Sequence, residues 1–106
     1  MARVALLCPD LLFGSKVEGA LAAAGHEVLR GDAQGVDVLV VDLTADDVDV
    51  EALGRRDDAA TLGFYPHVDV EIRRQAEAAG FDLVVPRSKM NREAADLVGR
   101  LTGAEA

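Results

Sequence analysis

Tryptophan is missing from this 106-residue chain, and Phe13, Phe64, Phe81 and Tyr65 are its only aromatic residues. Any core it builds is therefore aliphatic and made of small residues, chiefly Ala, Val and Leu. Cysteine occurs once, at Cys8, which excludes an intrachain disulfide. One thiol in an apolar run reads as a small buried hydrophobe rather than a nucleophile. Positive charge is scarce, with 11 basic against 19 acidic side chains and a formal charge of −8. So acidic a surface repels phosphate backbones and anionic lipid, and neither nucleic acid nor a membrane is an expected partner. No apolar run is long enough to cross a bilayer, and the N-terminal run lacks a small-residue cleavage site. A cytoplasmic chain is expected. There is no low-complexity linker and no internal repeat, and residues 1–106 suffice for one core, hence one domain.

What is present begins with residues 38–41, Val-Leu-Val-Val, framed by Asp37 and Asp42. Four apolar residues without alternation suit a strand covered on both faces, the central strand of a parallel sheet. Residues 4–7 form a second such run, ended by Pro9. Residues 27–30 read as a short, partly polar edge strand, 61–65 as a fourth strand stopped by Pro66, and 81–85 as a fifth stopped by Pro86. Helical spacing at 13, 17, 20, 21 and 24 predicts a first helix ending at Gly25, although Gly19 inside it costs about 1 kcal/mol relative to Ala. Residues 45–54 offer aspartate caps for a helix of about two turns. Apolar positions 68, 72, 76 and 79, opened by His67 or Asp69 and closed by Gly80, predict another. The last helix buries Met90, Ala94, Leu97, Val98 and Leu101 and is capped by Ser88 or Asn91.

Between the second and third strands only residues 33–36 remain after the Gly31-Asp32 closure, whereas a parallel crossover ordinarily takes a dozen residues or more. Either the edge strand pairs loosely or the crossover is an extended loop. Strands alternating with helices predict a three-layer α/β fold with a five-stranded parallel sheet of order 2-1-3-4-5, the flavodoxin-like arrangement, its second helix reduced or missing. Ligand crevices in such sheets open at the carboxyl strand ends, at the switch point between the first and third strands. The loop 9–14 then faces Asp42 and Thr44. The candidate crevice is Asp10, Asp42, Thr44, Tyr65, His67, Arg87 and Lys89.

Residues 37–43, with Asp42 closing the strand, resemble the central strand of the receiver domains of two-component response regulators. Gly80-Phe81-Asp82 with the strand and proline that follow resembles their last strand. The resemblance spans about residues 4–101 in topology and implies that Asp42 stands where receivers accept a phosphoryl group. It also implies an acidic pair after the first strand to hold Mg²⁺, and this chain has Cys8 and Pro9 there, with Asp10 one place later. A thiol and a proline cannot replace two oxygen ligands. The small hydroxyl residue of the fourth strand is replaced by Tyr65, the lysine of the fifth by Arg87.

The expected function is that of a degenerate receiver-like regulatory or protein-interaction module, independent of phosphorylation, without cofactor and not an enzyme. Receivers commonly associate through their fourth helix, fifth strand and fifth helix, here residues 68–79, 81–85 and 90–101. Arg73, Arg74, Arg92 and Arg100 with Glu71, Glu77, Glu93 and Asp96 give that face mixed charge suited to a homodimer, or simply to i, i+4 pairs on solvated helices. Two alternatives stand beside this reading. In one, Asp42 is an active phosphoacceptor and Asp10 with Asp42 holds Mg²⁺. In the other, residues 13–16, Phe-Gly-Ser-Lys, open a helix onto an anionic small ligand or nucleotide. Six acids and two arginines over residues 45–58 read as a solvated surface.

Overall fold

The computed structural model describes residues 2–31, 34–66 and 69–103. Strands β1 (Arg3–Leu7), β2 (Glu27–Arg30), β3 (Val38–Asp42), β4 (Ala60–Tyr65) and β5 (Leu83–Pro86) form one sheet of order 2-1-3-4-5 with every neighbouring pair parallel. Helices α1 (Leu11–Ala23) and α4 (Arg87–Thr102) cover one face, and α2 (Val50–Gly54) and α3 (Val70–Ala79) the other. Side chains alternate between faces along each strand. Val4, Leu6, Val38, Val40, Leu62 and Phe64 thus meet Val17 and Leu21 of α1 and Met90 and Leu97 of α4. Ala5, Leu39, Val41 and Tyr65 meet Leu53 and Ala76 on the opposite side. All five residues of β3 are buried, as its unbroken apolar run requires.

The connection from β2 to β3 contains no helix among the described residues, yet β2 pairs with β1 over four residues, from Arg3 with Glu27 to Leu6 with Arg30. The edge strand is therefore fully paired and the short crossover is the compromise. A helix advances only about 1.5 Å per residue, so residues 31–37 wound helically would fall short of the amino edge of the sheet. Val36 in this segment is buried in the second core cluster. Two aspartates pin the amino edge. Asp37 Oδ2 accepts from the Arg3 amide at 2.9 Å, and Asp82 Oδ2 accepts from the Thr61 amide at 2.8 Å while Thr61 Oγ1 accepts from the Asp82 amide at 3.0 Å.

Several element limits differ from the sequence reading. Asp10 caps α1 by accepting from the Phe13 amide at 3.1 Å, so the helix opens at Leu11, and Ala20 and Ala24 lie exposed because the buried stripe is Phe13, Gly14, Val17 and Leu21. Helix α2 is only Val50–Gly54, capped by Asp49. Strand β5 starts at Leu83, since Asp82 is held by Thr61. Neither Ser88 nor Asn91 caps α4: Pro86, at φ −65°, stands at the cap position without a side-chain bond and helix follows at once, with a kink at Glu93. Asp69, not His67, caps α3. His67 and Val68 lie outside the described residues, as do Asp32 and Ala33 of the β2 closure. Helices α2 and α3 meet backbone to backbone. A Cβ on Gly54 would stand 2.7 Å from the Ala79 carbonyl carbon, and one on Gly80, whose φ is +112°, 2.5 Å from the Gly54 oxygen.

Candidate functional site

The carboxyl ends of β1, β3, β4 and β5 share one edge because every strand is parallel. Asp42, at the end of β3, is 5% exposed. Its Oδ1 accepts from the Thr44 amide at 3.0 Å and from Thr44 Oγ1 at 2.7 Å, which ties the carboxylate into the turn that leaves the strand. Leu43 continues the ladder by donating its amide to the Phe64 carbonyl at 3.0 Å.

Asp10, just past β1, is also engaged. Its Oδ1 takes the Phe13 amide, and its Oδ2 pairs with Arg87 at the start of α4. The Phe13 amide first, and Arg87 second, hold the Asp10 carboxyl below the ordinary carboxylate range. Arg87 lies over the Phe13 ring, 4.3 Å from its centroid, and that ring packs on Phe64 at 5.1 Å. One guanidinium thus joins the end of β5 to the start of α1 through both charge and ring face.

Cys8 is buried among these groups. Burial pushes its thiol pKa up, the negative charges of Asp42 and Asp10 add to that, and Arg87 and the hydrogen bond to the Asp10 carbonyl, 3.7 Å away, oppose it. Such a thiol stays protonated and is a poor nucleophile at neutral pH.

The structure therefore joins Asp10 with Arg87 and Asp42 with Thr44. Tyr65 is turned to the other face, buried with Leu53 and Ala76, where it adds to the rise in the Arg73 pKa that Glu77 chiefly causes. Lys89 sits half-buried in the first turn of α4 and makes no ion pair among the described residues. His67 lies outside the described residues.

Sequence reading missed Arg30, assigned only to the edge strand. Its Nη2 donates to the Cys8 carbonyl at 3.0 Å and its Nη1 pairs with Glu18 at 3.2 Å. The guanidinium crosses α1 so closely that a Cβ on Gly14 would stand 2.7 Å from Nη2. The glycine in the helix's first turn was the one signal. An open pocket of 410 Å³ beside the crevice is lined by Phe13, Lys16, Pro66, Arg87, Ser88 and Asn91, but its Arg87 is already committed to Asp10. Among the described residues no three His, Cys, Asp or Glu side chains gather as they would around a metal ion.

The architecture is that of response regulator receiver domains. The chain matches the receiver domain of the Francisella response regulator 1452 with a TM-score of 0.83 at 12% identity over 100% of both chains. A receiver domain protein from Clostridium thermocellum gives a TM-score of 0.82 at 11% identity, covering 99% of this chain and 97% of that one. The response regulator DrrB from Thermotoga maritima, an OmpR/PhoB homolog, gives 0.81 at 19% identity, covering 99% of this chain and 54% of the other. No protein-family profile and no curated protein sequence matches the chain. The likeness is one of fold.

Proposed function

We propose that this chain is a degenerate receiver-like module that regulates through protein contacts, without phosphorylation, without Mg²⁺ and without enzymatic activity. The observation that carries this reading is the state of its two crevice carboxylates. Phosphoryl transfer depends on positioning an attacking group and on neutralising charge with metal ions and cations. Asp42 is held by Thr44, and Asp10 by the Phe13 amide and Arg87. Cys8 and Pro9 occupy the places where a hard cation would need oxygen. Thr44 engages only Oδ1 of Asp42, so the obstacle is the metal, which Asp42 would have to gather beside a thiol and a ring. The partner is a protein in the cytoplasm, and the assembly we favour for the module itself is a homodimer through α3, β5 and α4.

The test is treatment with acetyl phosphate, or with beryllofluoride, in the presence of Mg²⁺. Intact mass is expected to stay unchanged and amide shifts near Asp42 to stay in place. A stoichiometric adduct that disappears in Asp42→Asn overturns the reading.

A further inference from the structure

The short crossover leaves part of the sheet without a roof. On the face bearing α2 and α3, α3 packs over β4 and β5 and α2 chiefly against α3, so among the described residues no helix lies squarely over Leu7 of β1 or Leu29 of β2, both only partly buried. The result is a groove of 690 Å³ between the end of β1 and the segment around α2, with Leu7, Pro9, Val48 and Leu53 among its apolar lining. Its one bank is acidic. Asp47 and Asp49 line it and Asp46 adjoins them, and neither Asp46 nor Asp47 makes an ion pair among the described residues. The one cation of the lining, Arg30, is held by Glu18 and the Cys8 carbonyl. Just beyond Pro9 the chain exposes Leu11 at 74% and Leu12 at 83%, large apolar side chains on an otherwise polar edge.

We propose that this groove seats an amphipathic helix of a protein partner, laid in by its apolar face and carrying lysine or arginine along one flank. The inference rests on the reading of the chain as an interaction module. A sheet face needs apolar cover, and a helix of about 10–12 Å diameter is what the missing crossover would have supplied. A chain with a charge of −8 and an acidic bank selects a cationic helix and rejects an acidic one.

The test uses a capped synthetic peptide of about 15 residues with Leu at i, i+3, i+4 and i+7 spacing and Lys elsewhere. It is titrated into the isotope-labelled protein and followed by amide shifts. Saturable shifts are expected at Leu7, Val48 and Leu53, weakening with salt. Asp46→Lys with Asp47→Lys, both exposed, should reduce affinity about tenfold, and Asp96→Lys on α4 less than about twofold. A scrambled peptide, or one with Glu for Lys, should leave the groove unperturbed.

The proposal is overturned by the absence of saturable groove shifts at millimolar peptide, or by an equal response to the scrambled sequence. Groove shifts that grow with protein concentration alone assign the groove to a second copy and overturn it too. Peptide shifts confined to α3, β5 and α4 remove the groove and leave the interaction module standing. An Asp42 phosphoryl adduct alongside intact groove binding removes only the phosphorylation-free reading.

Discussion

Asp10 acts at three places at once: it caps α1, anchors Arg87 and adds to the negative charge that Asp42 places beside Cys8. Because its folded pKa lies below the ordinary value, its contribution to stability is present above that value and is lost as pH falls toward the lowered one. Urea midpoints measured from pH 7 downward should therefore drop below about pH 4. Asp10→Asn should be less stable at pH 7 and show a shallower drop. Some slope will remain in the variant, since Arg56 lowers the Asp58 pKa in the same direction. Identical pH profiles for the two proteins would show that the contacts of Asp10 contribute nothing to folding. Little of this was legible beforehand. Asp10 and Arg87 are 77 residues apart and Arg30 and Cys8 are 22 apart, so no local spacing announces either contact. Asp42 was conspicuous because it ends an apolar run, but its bond to Thr44 depends on turn geometry that many Asp-x-Thr sequences do not adopt.

Elements with unbroken apolar runs were readable, and so was a β2–β3 connection too short for an ordinary crossover helix, and none is found among the described residues. β3 is buried along its whole length and β1 at its three middle residues, so their apolar runs fit only a covered strand. The start of α4 was not readable, since Ser88 and Asn91 look like caps while Pro86 does the work of fixing the turn into the helix. The touching glycines were equally silent. Gly54 reads as an ordinary helix stop, whereas it lets the end of α2 rest on the Ala79 and Gly80 backbone at the end of α3. Gly54→Ala should destabilise the protein by about 1–3 kcal/mol through overpacking against atoms that cannot rotate away. Thermal or urea melts would measure this. An unchanged midpoint would mean that α2 shifts freely and is only loosely docked.

For the whole molecule, the proposed homodimer has the simplest measurement. Arg73 pairs with Glu77 at 3.4 Å and Arg92 with Glu93 at 3.8 Å, both within their own helices, with Glu93 half-buried and the other three side chains open to solvent. A dimer through α3, β5 and α4 would share those charges across a two-fold axis. Sedimentation over a concentration series should show association that weakens with salt and is lost in Arg73→Glu with Arg92→Glu. A wild-type chain that stays monomeric at high micromolar concentration would eliminate this dimer while leaving a different protein partner in place. The order of the sheet bears on what such contacts can be. Its outer margins are β2, four residues long with Glu27 and Arg30 at its ends, and β5, also four residues, closing on a proline that has no amide hydrogen to offer. Strands so short and so marked with charge and proline make poor templates for another strand. The molecule is protected against growing its sheet into a neighbour, so durable attachments fall to its helices and to the ground between them.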